Sequence, residues 1–113
     1  MEDCIFCKIA NKEIGKLIYE NDYVVAFDDL NPVAPVHSLI IPKKHIKNLE
    51  DLKEEDLKYI TEIHKAIKEV AKIKGVNESG YRIISNCGKD AGQSVMHLHY
   101  HLIGGKVLGE KII

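Results

Sequence analysis

Residues 97–102 read HLHYHL and place three of the chain's six histidines at alternate positions. A period of two is the period of a β-strand, so His97, His99 and His101 are expected on one face of a strand, with Leu98, Tyr100 and Leu102 on the other. Alternate side chains on a strand stand about 6.6 to 6.8 Å apart. Two such rings can lean together onto one metal ion, but three rarely would. A lone strand histidine is ordinarily a satisfied structural residue. An unbroken His-x-His-x-His is not, because packing three titratable rings side by side is costly without a purpose. The stretch therefore points to a metal site or to phosphate chemistry.

The neighbouring sequence favours a site. The stretch "CGKDAGQS", residues 87–94, is glycine-rich and polar and reads as a loop leading into the histidine strand. Gly88 and Gly92 permit close backbone approach to a ligand, and Ser94 offers a hydroxyl beside the strand. Imidazole is a competent nucleophile, largely neutral near pH 7 at an unperturbed pKa of about 6.5, with one ring nitrogen carrying a lone pair. Attack on phosphorus gives a labile N–P bond that water can break. Flanking imidazoles can stabilise phosphoryl oxygens or carry a proton.

Further out, "KLIYEN" (16–21) and "YVVAFDD" (23–29) read as two strands joined at Asn21-Asp22, and "VHSLIIP" (36–42) as a third, stopped by Pro42. One long helix is expected between Leu52 and Lys74. Its apolar positions Leu57, Ile60, Ile63, Ile67, Val70 and Ala71 recur at helical spacing, and Gly75 stops it. "YRIISN" (81–86) is a fourth strand and "HLHYHLIG" (97–104) a fifth. A short helix over residues 4–10 is expected, with Asp3 as its N-cap. Strands, a long helix, then strands again predict an α+β fold. An antiparallel sheet of about five strands would carry the long helix on one face and a site on the other.

At 113 residues the chain has the size of one domain, taken as residues 1–113. Its 16 basic and 17 acidic residues nearly balance, so there is no general pull toward nucleic acid or an anionic membrane, and phosphate recognition must be local. The opening "MEDCIFCKIA" starts acidic and carries no long apolar run, so no signal peptide is expected. No run of about 18 apolar residues occurs either, which excludes a spanning helix. A cytoplasmic protein is the expectation. Three cysteines make no disulfide framework. Cys4 and Cys7 form a C-x-x-C pair, half of a tetrahedral zinc site or a free dithiol, and Cys87 stands alone.

Taken together, "GQSVMHLHYHLIGG" (92–105) resembles the signature of the histidine triad (HIT) family, in which histidines alternate with apolar residues. "CIFCKI" (4–9), "AFDDLNPVAPVHSLIIPKKHI" (26–46) and "GYRIISNCG" (80–88) extend the likeness to the branch of nucleoside phosphoramidases called Hint, over residues 3 to 105. The resemblance implies a hydrolase acting at the α-phosphate of AMP or GMP conjugates, releasing an amine through a nucleotidyl-histidine intermediate.

In that scheme His99 is the nucleophile and His101 contacts phosphoryl oxygens. His37 orients and polarises the site, and Ser94 bonds near the leaving group. Gly92 and Gln93 shape the same wall, Asn86 contacts phosphate or ribose, and Asp29 takes the ribose hydroxyls. Phe6, Ile9, Phe27 and Leu30 match the apolar slot for the base. Read as residues alone, these four are equally core positions, and Asp28-Asp29 could merely end a strand.

The resemblance also implies a structural zinc held by Cys4, Cys7, His45 and His97, no organic cofactor, and a homodimer. Other readings remain: a dinucleoside polyphosphate hydrolase, a metallohydrolase with zinc on His97 and His99, and a non-catalytic nucleotide-binding regulatory module. His64, mid-helix without a motif partner, is expected to be structural or solvent-facing.

Overall fold

Asn21 closes the first hairpin as its residue type predicts, its side-chain oxygen accepting from the amides of Tyr23 and Val24 at 2.8 and 2.9 Å. The two strands it joins are β1 (Tyr19–Glu20) and β2 (Val24–Asp28). Then come β3 (Val36–Pro42), a long helix α2 (Leu57–Ile73), β4 (Tyr81–Ile84) and β5 (Tyr100–Gly104). A short helix α1 (Ile5–Ala10) precedes them all. This computed structural model describes residues 3–113. The strands form one antiparallel sheet in the order β1-β2-β3-β5-β4.

Period-two alternation assigns each strand residue to one of two cores. Val24, Ala26, Ile40, Leu98, Tyr100 and Leu102 pack with Ile63, Ala66, Ile67, Val70 and Ala71 of α2. Val25, Phe27, Leu39 and Ile41 pack on the opposite face with Phe6, Ile9 and Ala10 of α1. β3 is covered on both sides, which is why "HSLIIP" is almost continuously apolar and buried. The site forms on the α1 face, opposite the long helix.

Several boundaries differ from the sequence reading, each for a local reason. α2 begins at Leu57 rather than Leu52. Side chains take the backbone donors ahead of it: Asn48 Oδ1 accepts from Glu50 and Asp51 N–H, and Asp56 Oδ2 from Lys53 N–H, making two 3₁₀ turns (Leu49–Asp51 and Glu54–Asp56). Leu57, read as part of the buried stripe, is 52% exposed, whereas Ala66 joins the core. The N-cap of α1 is Cys4, not Asp3; its sulfur accepts from Cys7 N–H at 3.2 Å.

β5 begins at Tyr100, so His97 and His99 lie on the approach to the strand and not within it. Their carbonyls are occupied by side chains: His97 O accepts from His99 Nδ1 at 2.8 Å, and His99 O from Ser85 Oγ at 3.0 Å. Leu98 N–H turns to Ile46 O. The facing pattern survives nonetheless, with Leu98, Tyr100 and Leu102 all in the α2-side core.

Candidate functional site

Two clusters of histidines meet on the α1 face, and main-chain groups set the tautomers of His37, His97 and His99. A carbonyl oxygen can only accept and a backbone amide can only donate, so each such contact fixes which nitrogen carries hydrogen. His97 donates from Nε2 to the Pro42 carbonyl at 2.9 Å, which leaves the Nδ1 lone pair toward the sulfurs. Nδ1 lies 3.3 Å from Cys4 Sγ and 3.4 Å from Cys7 Sγ, and His45 Nδ1 lies 3.3 Å from Cys7 Sγ. The ligand atoms of Cys4, Cys7, His45 and His97 all lie within 4.8 Å of one another.

These four residues could hold a metal, and their chemistry suits it. A tetrahedron with metal–sulfur bonds of about 2.3 Å and metal–nitrogen bonds of about 2.05 Å has S···N edges of about 3.5 Å. The S···N separations of 3.3 to 3.4 Å sit close to that. The Pro42 carbonyl orients His97 in the way an outer hydrogen-bond partner orients a metal ligand. Burial holds the His97 imidazole neutral, lowering its pKa to about 4 against the opposing pull of the Pro42 carbonyl. Burial, followed by the hydrogen bond and charge of Cys4, pushes the Cys7 thiol up to about 11 in the metal-free protein, so a thiolate pair here calls for a cation.

His99 and His101 face a different space. His99 donates from Nδ1 to the His97 carbonyl, leaving Nε2 with a free lone pair. Edge-on contact with Phe6, ring centroids 5.1 Å apart at 83°, holds the imidazole in place. The Val33 amide donates to His37 Nδ1 at 3.1 Å, so the hydrogen of neutral His37 sits on Nε2. His37 Nε2 lies 2.9 Å from His101 Nδ1, which must accept it, and His101 therefore carries hydrogen on its own Nε2. Burial first, then His99 and His37, lower the His101 pKa to about 4, with Asp29 opposing. His101 is thus neutral at pH 7. The two rings present complementary atoms: a lone pair on His99 Nε2 and a hydrogen-bond donor on His101 Nε2.

These rings open on a cavity of about 440 Å³. Phe6, Ile9, Phe27 and Leu30 line it with Ile5 and Ile14, as do Asp28, Asp29 and Ser94. Phe6 and Phe27 meet edge to face at 5.4 Å. Leu30 is 92% exposed and forms only the outer lip. The two adjacent carboxylates divide. Asp28 is tied to Ser38 Oγ and Lys74 Nζ at 2.9 and 3.0 Å, anchoring the sheet to the end of α2. Asp29 accepts from Asn31 N–H at 2.8 Å and brings its other oxygen within 3.4 Å of His37 Nε2.

The remaining expected residues lie in the loop. Gly88 and Gly92 bracket a 3₁₀ turn (Lys89–Ala91) at φ of 88° and 80°, a region that disfavours side chains. Asn86 Nδ2 donates to the Ala91 carbonyl at 2.8 Å, and the Gln93 side chain bonds to protein groups on every side. Neither borders the cavity. Cys87 is half-buried and apart from the metal-ligating cluster, and His64 is exposed. Among the described residues, no buried side-chain nitrogen or oxygen lacks a partner.

The Val33 amide, Ser85 and Asn48 were not anticipated. A main-chain donor and a serine in a strand-end "ISN" leave no signature in sequence. Asn48 could have been suspected, since Asn followed by acidic residues is a turn-capping pattern.

Comparison with known proteins identifies the family and the fold. The family model described as "HIT domain" matches residues 11–108. The chain is 39% identical to the purine nucleoside phosphoramidase of Escherichia coli K12, over 96% of this chain and 92% of that protein. It is 42% identical to protein HitA of Neisseria gonorrhoeae, over 95% of this chain and 100% of that one. Among solved structures, a HIT family hydrolase from Clostridium thermocellum superposes with a TM-score of 0.96 at 50% identity, covering 100% of this chain and 99% of that one. A histidine triad protein from Clostridium difficile gives 0.93 at 51% identity, covering 98% and 97%.

Proposed function

The chain belongs to the HIT domain family and is a hydrolase, and from that premise we propose that it cleaves the P–N bond of purine nucleoside 5′-phosphoramidates, conjugates of AMP or GMP with an amine. The observation that carries this reading is the forced tautomer of His99. Its Nδ1–H is committed to the His97 carbonyl, so the lone pair of the neutral ring lies on Nε2, beside a donor on His101. Similarity to a phosphoramidase along nearly the whole chain supports the substrate class.

In the proposed reaction His99 Nε2 attacks the α-phosphorus. The P–N bond breaks, the amine departs with a proton relayed from solvent through Ser94 Oγ, and water then cleaves the phosphorus–His99 bond, returning a proton to solvent and releasing the nucleoside monophosphate. His101 Nε2–H stabilises the phosphoryl oxygens, and His37 holds His101 in the required tautomer. Ser94 donates on the leaving-group side. Asp29 accepts from the ribose hydroxyls, and Phe6, Ile9, Phe27 and Leu30 enclose the base. Asn86 and Gly92 shape the loop that bounds the phosphate.

Zinc is the proposed occupant of Cys4, Cys7, His45 and His97. Four protein ligands leave no open coordination position, so the ion contributes structure, tying α1 to the approach to β5. Residues 1–113 then act as a single HIT domain. A homodimer packed on α2 belongs to the same reading. No helix among the described residues is long and apolar enough to cross a membrane. Unpaired thiols at Cys4, Cys7 and Cys87 suit a reducing, cytoplasmic setting.

The test is steady-state turnover of an AMP–amine conjugate beside a diadenosine polyphosphate, with alkaline-quench trapping of a nucleotidyl-enzyme, whose N–P bond survives base. Preferred turnover of the conjugate, and loss of at least about 10⁴-fold in kcat in His99→Ala, is the expected outcome. Near wild-type turnover by His99→Ala would overturn the mechanism. Preference for the polyphosphate would overturn the substrate class, and nucleotide binding without turnover would overturn both.

A further inference from the structure

Gln93 sits beside the site in sequence, yet its side chain turns away from the cavity. It is only 7% exposed, and its amide is saturated by protein groups. Oε1 accepts from Gly88 N–H at 2.9 Å and from Asn48 Nδ2 at 3.1 Å. Nε2 donates to the Lys47 carbonyl at 2.7 Å and the Val95 carbonyl at 3.0 Å. An amide side chain offers two donors and two lone pairs, and all four are in use. A contact with substrate would require one of these buried bonds to break, leaving a partner unsatisfied.

The partners are placed to matter. Gly88 and Val95 are the two ends of the loop that carries Ser94, so one amide closes that loop on itself. Lys47 and Asn48 follow His45 by two and three residues, so the same amide joins the loop to the segment bearing a ligand of the metal cluster. Asn48, also 7% exposed, is itself pinned, its Oδ1 accepting from Glu50 and Asp51 N–H. Ser94, between Gln93 and Val95, lines the cavity with His99 and His101.

We infer that Gln93, held by Asn48, is a positioning residue that sets Ser94 against His99. This rests on the leaving-group role proposed for Ser94. The clamp fixes a hydroxyl within the tolerance that a reacting centre requires, and displacement of about 1 Å can cost on the order of 100-fold in rate.

A double-mutant cycle tests it, with an AMP–benzylamine conjugate as substrate. Gln93→Met keeps the volume and removes all four bonds. Asn48→Asp retains the oxygen that caps the turn but faces Gln93 Oε1 with an acceptor. Each is expected to lower kcat by about 10- to 100-fold with KM within about threefold. In either background, adding Ser94→Ala should change kcat by less than about twofold, against a larger loss in the otherwise wild-type enzyme. A raised KM at unchanged kcat would mean that Gln93 touches the nucleotide, and an undiminished effect of Ser94→Ala would mean that it does not position that hydroxyl. Either result overturns the inference. If Gln93→Met does not fold, Asn48→Asp carries the cycle.

Amide hydrogen exchange supplies a readout independent of turnover. In zinc-loaded protein the Gly88 amide should exchange at least about tenfold faster in either variant than in wild type. Unchanged protection sinks the clamp. Should the wild-type enzyme leave the conjugate intact, the phosphoramidase reading fails, and the exchange measurement alone decides whether the clamp exists.

Discussion

Acidification probes the histidine chain directly, because His101 resists protonation only in the folded protein. Burial, with His99 and His37 alongside, lowers its pKa to about 4 from 6.5. Between those values the unfolded chain binds the proton and the native state does not. The difference in bound protons then makes stability rise with pH, so the contribution is intact above about pH 6.5 and lost as pH falls toward about 4. The gap of about 2.5 pH units, at about 1.36 kcal/mol each, sets a ceiling of about 3.4 kcal/mol. The ring borders an open cavity and is only half-buried, so water screens part of this, and about 1.5 kcal/mol is the realistic figure.

The perturbation is His101→Asn, whose amide oxygen can accept from His37 Nε2–H in place of Nδ1. Urea unfolding followed by circular dichroism at pH 7.5, 6.5, 5.5 and 4.5 measures both proteins. Loss of metal at low pH affects both and cancels in the difference. Wild type should lose about 1.5 kcal/mol more than His101→Asn across the range. Parallel curves would refute the claim that the fold holds His101 neutral, and with it the donor assigned to its Nε2.

Other perturbations separate the fold from the two sites. If the proposed zinc site holds, Cys7→Ser should reduce bound zinc from about one ion per chain to near zero and lower the melting temperature, because the metal would tie α1 to the sheet. Zinc retained at full occupancy would exclude Cys7 as a ligand. Leu102→Ala, at a fully buried position between the sheet and α2, should cost about 2 to 5 kcal/mol in urea while zinc content stays unchanged. A loss below about 1 kcal/mol would contradict the packing. Phe6→Ala removes the ring in edge contact with both Phe27 and His99, and should weaken AMP binding by roughly tenfold in calorimetry. Unchanged affinity would move the base elsewhere.

Much of this was legible from pattern. Alternation in "YVVAFDD" and "HLHYHL" places each side chain on its observed face, since period two is a property of extended backbone whether or not a ladder bond forms. The long helix follows from its apolar spacing. Boundaries were less legible where side chains take backbone donors: Asn48 and Asp56 delay α2, and His99 and Ser85 delay β5. As residues alone Asp28 and Asp29 could both merely end a strand, and the family resemblance singled out Asp29; the fold gives the physical division, Asp28 toward Lys74 and Asp29 toward His37.

The residue string alone determined which groups of the right chemistry exist, and local spacing determined which of them share a face. It also determined that Cys4 and Cys7 form a C-x-x-C pair, open to a free dithiol or to half of a metal site that needs two ligands from elsewhere in the chain. Tertiary structure decided which nitrogen of His37, His97, His99 and His101 is free. That choice depends on the Pro42 and His97 carbonyls and the Val33 amide, groups that every residue type can present. A sequence records side chains, and a ring's tautomer is set by whichever backbone atom the fold brings within hydrogen-bond reach.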